Sequence, residues 1–261
     1  MALRLRERSE RLKNELAAWL FPRAACCLCC GDPRRADTSD CLCEGCRKKL
    51  KSMRVPPEAC ERCLSPVRRG KPCAFCRSPM MKPIHKVYAP YRYGKEARTL
   101  IHQLKFNQCG EAAPLLGQAM ADALNDRNFD CITPVPLHRF RLAERGYNQS
   151  LLLCEEISAR TGIPTLELLR RDRYHKPQSR TPFAMRQRNV ANAFSCVKDA
   201  EGLRVLLVDD VRTSGSTACA CAKTLMDAGA DSVSLCVAAA VYRSGSQKKN
   251  RKRQNGISWR R

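Results

Sequence analysis

Asp209 and Asp210 close an apolar run, Leu203 to Val208, and the residues after them are almost all small or hydroxylated: Arg212, Thr213, Ser214, Gly215, Ser216 and Thr217 lead into a helical pattern. Adjacent carboxylates accept hydrogen bonds from sugar hydroxyls and can help hold Mg2+. Backbone N–H groups at a helix start, joined by the hydroxyls of Thr213, Ser214, Ser216 and Thr217, can surround a phosphate. Gly215 allows close approach and dihedrals closed to other residues. Together these groups suit a phosphorylated sugar. The loop is not a Walker A sequence, because no Gly-Lys-Ser/Thr occurs, and it lacks the three spaced glycines of a dinucleotide site.

A second chemistry lies near the other end. Of 18 cysteines, 11 fall between Cys26 and Cys76, as four Cys-x-x-Cys pairs: Cys27/Cys30, Cys43/Cys46, Cys60/Cys63 and Cys73/Cys76. A tight turn puts both sulfurs of a pair on one side of the backbone, and two pairs supply the four ligands of a tetrahedral zinc ion. Eight thiolates suffice for two structural zinc ions. Sequential pairing is expected, the first pair with the second and the third with the fourth. Spacing does not exclude interleaving, and Cys26/Cys29 is an alternative frame for the first pair. Iron–sulfur ligation, redox dithiols and cysteines without a role are the competing readings; ligand type and spacing favour zinc. With few aliphatic residues nearby, bound metal would supply most of this region's stability.

The elements that position the acidic pair read as alternating strands and helices. KVYAPYRY is strand-like, and in GKEARTLIHQLKF the residues Ala97, Leu100, Ile101 and Leu104 follow helical spacing. AAPLLGQAMADAL continues as helix, CITPVP is a short buried strand, and NQSLLLCEEISAR is a helix ending at Gly162. LRVLLVDD reads as a central parallel strand, STACACAKTLMDAG as a helix stopped by Gly229, and SVSLCVAAAV as the next strand. This order implies right-handed βαβ connection and an α/β parallel sheet.

Composition bounds the rest. The formal charge is +23, and residues 243–261 hold eight basic residues and no acidic one. Such a balance fits nucleic acid held mainly through its phosphates. The aromatic content, 6%, argues against an extended base-stacking platform. No apolar run approaches the roughly 20 residues of a membrane span, and Leu16 to Phe21 is too short for a signal peptide. The chain therefore reads as soluble and cytoplasmic, where disulfides explain so many cysteines poorly. Four segments are expected: an amphipathic helix within 1–25 with Leu12, Leu16, Trp19 and Leu20 on one face, a double zinc-ribbon domain over 26–80 with RSPMMKP as linker, an α/β domain over 81–242, and a disordered basic tail over 243–261.

The stretch VDDVRTSGST resembles the 5-phosphoribosyl-1-pyrophosphate (PRPP) signature of type I phosphoribosyltransferases, with Ser214 in place of a second threonine. PVPLHRFRLAERGYNQS and RDRYHKPQSRTPFAMRQRNVANAF, with Gln178, Arg186, Asn189 and Phe194, are similar to the ComF family of competence-associated proteins, as are LIHQLKF and the leading cysteine region. The resemblance runs from about Leu12 to Tyr242. It implies a type I phosphoribosyltransferase-like parallel sheet with flanking helices behind a double zinc ribbon. By analogy Asp209 and Asp210 contact ribose and Mg2+ and carry catalysis. Thr213, Ser214, Gly215, Ser216 and Thr217 hold the 5-phosphate, and the Pro134–Arg145 region, with Arg139 and Arg145, approaches pyrophosphate. Arg141, Arg186 and Arg188 are further cations. Residues 171–190 would be a flap, and His138 a candidate acid or base. Asn148 and Gln149 suit capping as well as ligand contact. The implied role is single-stranded DNA handling in natural transformation, beside a helicase-like or competence-machinery partner; whether the site turns over stays open. A nucleotide-salvage transferase and a non-catalytic zinc adaptor with a regulatory PRPP site are the alternatives.

Overall fold

Nine residues from Arg204 to Arg212 and nine from Ser232 to Ala240 form the two long strands of the structure. It is a computed structural model, and it describes residues 26–32, 41–67, 73, 75–106, 112–173 and 192–242. The amphipathic opening, most of the expected flap (with Gln178, Arg186, Arg188 and Asn189) and the basic tail lie outside the described residues.

In chain order the described elements are α1 (Glu44–Lys51), β1 (Val87–Tyr88), β2 (Tyr91–Arg92), α2 (Lys95–Phe106), α3 (Ala112–Asp122), β3 (Cys131–Pro134), α4 (Arg139–Arg145), α5 (Gln149–Thr161), β4 (Leu169–Arg171), β5 (Phe194–Cys196), β6 (Arg204–Arg212), α6 (Ser216–Asp227) and β7 (Ser232–Ala240). Strand order is β1-β7-β6-β3, with β2 continuing the β1 edge along β7, and every pairing in this sheet is parallel. Pro90 has no N–H to give to the ladder, which is why one strand-like stretch splits into β1 and β2. The β6–α6–β7 unit is the expected βαβ connection.

Helices cover both faces of the sheet, so its central strands need apolar residues on both sides. Val205, Leu206, Leu207 and Val208 of β6 are all fully buried. On one face α5 lies against β3 and β6 and packs on α3. That helix pair meets at Gly117, where a Cβ would fall 2.3 Å from the Cβ of Glu156. On the other face α6 packs against β5, which pairs with β4 in an antiparallel ribbon absent from the sequence reading.

By contacts the chain divides into two units, Met1–Ser52 and Met53–Arg261. The cysteine-rich stretch is shared between them: Cys27 to Cys46 belong to the first, Cys60 to Cys76 to the second. RSPMMKP, read as a linker, holds a 3-10 turn over Pro79–Met81, and Met81 and Ile84 are completely buried in the core on the α6 side of the sheet. Met81 and Ile84 are apolar bulk that folding removes from water.

Candidate functional site

The smaller unit is organised around sulfur. Cys27, Cys30, Cys43 and Cys46 place their Sγ atoms within 4.8 Å of one another. In the larger unit Cys60, Cys63, Cys73 and Cys76 do the same. Sequential pairing and the Cys27/Cys30 frame are therefore what the structure brings together. Measured edges are 3.8 Å for Cys30–Cys43, 3.7 Å for Cys60–Cys76 and 3.5 Å for Cys63–Cys73. A tetrahedron with metal–sulfur bonds of about 2.3 Å has edges of about 3.8 Å, so both groups fit a tetrathiolate metal site. Backbone N–H groups point at the sulfurs, as from Cys43 N to Cys27 Sγ at 3.3 Å and from Cys46 N to Cys43 Sγ at 3.4 Å. Burial pushes the Cys27 thiol up, yet the N–H groups of Cys43, Cys30 and Cys29 outweigh it and bring it down to about 6. Burial and the neighbouring sulfurs drive Cys46 upward. Four sulfurs this close cannot all ionise without a cation among them. The residue after the first knuckle is Gly31, at φ +72°, and the one after the third is Leu64, at φ +56°. The same left-handed turn is free for glycine and strained for leucine.

The acidic pair lies at the carboxyl end of β6, where open α/β sheets bind ligands. Asp210 is buried and Asp209 half-buried. Lys105 Nζ is 2.5 Å from Asp210 Oδ2, and Gln149 Nε2 donates to Asp210 Oδ1 at 3.3 Å. Asp209 Oδ1 accepts from the backbone N–H of Asp210 at 2.8 Å and from Ser150 Oγ at 3.3 Å. Burial pushes the Asp209 carboxyl up, and the charge of Asp210 adds to this. A cation bound beside the pair would relieve that repulsion and let both carboxylates ionise.

The loop beyond them lines the same cavity as Asp209. Gly215 adopts φ +78° and precedes α6 as its cap. Ser214 Oγ lies 2.9 Å from Ser216 Oγ and accepts from Ser216 N at 3.4 Å. Thr213 is exposed, while Ser214 and Thr217 are half-buried. Amides of the first turn of α6 have no partner within the helix, and this is what an anion can use.

Arg145 joins this network indirectly: its Nη1 donates to Gln149 Oε1 at 2.9 Å, and Gln149 bonds Asp210. Arg139 is exposed, with its guanidinium 5.3 Å from the Phe140 ring. Within the Pro134–Arg145 region, α4 occupies Arg139–Arg145. His138 is its cap, buried, with Nδ1 accepting from Phe140 N at 3.4 Å. Burial, then the charges of Arg139 and Arg171, hold its imidazole below the usual range. Asn148 caps α5 by accepting from Ser150 N at 3.0 Å. Lys105 and Ser150 are site residues that residue-type reasoning missed. Lys105 had a signal only in belonging to LIHQLKF.

A parallel sheet flanked by helices, with an acidic pair and a hydroxyl-rich helix start at the end of its central strand, defines a phosphoribosyltransferase-type α/β protein, here led by two cysteine tetrads. The phosphoribosyl transferase domain family matches residues 148–258. The chain is 30% identical over 203 residues to DNA utilization protein YhgH of Escherichia coli K12, covering 74% of this chain and 88% of that protein. It is 32% identical over 208 residues to competence protein F of Haemophilus influenzae, again 74% and 88%. Competence protein ComFC of Bacillus subtilis is 26% identical over 202 residues, 72% and 79%. The chain belongs to the ComF family. Among the described residues no helix is long and apolar enough to cross a membrane.

Proposed function

We propose that this protein binds PRPP with Mg2+ and handles single-stranded DNA during DNA uptake. The observation that carries the first half is the placement of Asp209 and the Thr213–Thr217 loop around one cavity at the carboxyl end of β6. In this reading Asp209 and Asp210 accept hydrogen bonds from the ribose hydroxyls, and the loop encloses the 5-phosphate. Arg145, positioned through Gln149, and Arg139 provide positive charge toward the pyrophosphate. Mg2+, held with the help of the two carboxylates, would neutralise charge on that group as it leaves. If an acceptor is transferred, the bond from the anomeric carbon to pyrophosphate breaks as the bond to the acceptor forms. The site's contribution is then orientation and electrostatic stabilisation. Both tetrads hold zinc in this reading, and the role of the metal is structural.

The second half rests on charge and kinship. The relatives are named for DNA utilization and competence, and a chain at +23 attracts polyanions. A helicase-like or competence-machinery protein is the expected partner. Titration calorimetry with PRPP and Mg2+ tests the first claim: binding is expected, with Asp209→Asn plus Asp210→Asn weakening it at least about 100-fold. No binding, or binding unchanged in that variant, overturns it. A salt series of single-strand binding, with and without residues 243–261, tests the second, and affinity indifferent to salt overturns it. Turnover of a purine or pyrimidine base would instead mark a salvage transferase.

A further inference from the structure

Arg212 is the last residue of β6 and immediately precedes the Thr213–Thr217 turn, yet it is withdrawn from solvent. It is buried, and among the described residues its Nε and Nη2 have no hydrogen-bond acceptor. Its guanidinium carbon lies 5.1 Å from the centre of the Phe75 ring. Phe75 sits between Cys73 and Cys76, two members of the second tetrad. The same ring reaches the phosphate-loop turn: its edge is 3.9 Å from where a Cβ on Gly215 would be, as is Cγ of Arg212. Burial works against the charge on Arg212, and the groups that favour it are the sulfurs of Cys63, Cys219, Cys73 and Cys76. A buried cation with unfilled donors, and no carboxylate paired with it among the described residues, is costly unless something else balances it. Four thiolates around one divalent ion carry a net charge of −2, which is such a counter-charge.

We infer that Arg212 and Phe75 couple metal binding at Cys60, Cys63, Cys73 and Cys76 to the conformation of the Thr213–Thr217 loop. The metal-bound tetrathiolate holds the guanidinium, the guanidinium and the ring hold the turn at Gly215, and the turn sets the hydroxyls of Ser214 and Ser216. Arg212, which borders the same cavity as the loop, thereby acts as a positioning residue. The inference rests on the reading of this tetrad as a metal site, but not on PRPP being the ligand. The first tetrad, in the other unit, is an internal control.

The test uses the full zinc-loaded chain and a chromophoric chelator, with Cys27→Ser plus Cys30→Ser assigning the two release phases. Wild-type protein is expected to hold two zinc ions; one or none fails the tetrad reading whatever Arg212 does. Given two, Arg212→Met should speed release from the second tetrad about 10–100-fold, the usual effect of removing a partner of metal ligands, and leave the first phase unchanged. Arg212→Lys, which keeps the charge, should recover most of the difference, and a purely space-filling role would not show this. Phe75→Leu, the variant to use should Arg212→Met fail to fold, should also speed the second phase. Hydrogen exchange at residues 213–218 should rise in Arg212→Met and in wild-type protein stripped at the second tetrad, while α3 and α5 stay protected. Two zinc ions with wild-type release in Arg212→Met, or loop exchange blind to metal, overturns the inference.

Discussion

Lys105→Met should destabilise the larger unit by about 3 kcal/mol, within the range for breaking a buried ion pair from one side. Lys105 Nζ and Asp210 Oδ2 are 2.5 Å apart, with 25% and 6% of the two side chains exposed. At an effective dielectric constant of 20, unit charges at that distance attract by roughly 6–7 kcal/mol, and lost hydration offsets about half of it. Without the lysine, Asp210 keeps its bond from Gln149 but still faces the carboxyl of Asp209. Asp210→Asn should cost less, because it also relieves that repulsion and leaves a lysine that can turn toward water. The double variant should resemble Asp210→Asn, giving a coupling energy of about 2–3 kcal/mol. Urea melts of the four proteins measure it, and thermal melts should show Lys105→Met lowered by roughly 6–12 °C. Additivity within about 0.5 kcal/mol, or Asp210→Asn costing more than Lys105→Met, would refute this account of the site.

Two further outcomes follow from single contacts. Gly117→Ala should lose about 1–3 kcal/mol through overpacking between α3 and α5, although alanine favours helix by about 1 kcal/mol; an unchanged or raised urea midpoint would show that the helices separate freely. Asp130 receives three hydrogen bonds from Arg204, at 2.8, 3.0 and 2.9 Å, which hold its carboxyl at about 2 rather than 3.8. Because the folded value is the lower one, this stabilisation is complete above pH 3.8 and fades as pH falls toward 2. Asp130→Asn should therefore differ from wild type at pH 5 and converge with it near pH 2 in acid-denaturation curves; a constant gap between the curves would remove the pair from acid stability.

The long elements were legible because their patterns are long. A strand buried on both faces must be apolar throughout, and LRVLLVDD and SVSLCVAAAV have no other soluble use. Gly162 and Gly229 both take the positive φ expected where a helix stops. The helix α4 was not legible, because RFRLAER has no buried residue and so no apolar face to read. The pair β4 and β5 was missed for a similar reason. Each has three residues, too few to show a period, and the two are far apart in the chain.

Residue types and local spacing alone determined the parallel α/β architecture, the two tetrads' worth of sulfur and the acidic pair before a hydroxyl-rich turn. All of these are read along a few consecutive residues, over which the backbone dictates direction. Tertiary structure alone decided that Cys27/Cys30 rather than Cys26/Cys29 joins Cys43/Cys46, since both frames have the same spacing. It alone brought Lys105 and Gln149 onto Asp210, and Phe75 onto Arg212. Each of those contacts joins segments far apart in the chain, and charge or ring stacking acts through space at a few ångströms, without regard to sequence separation.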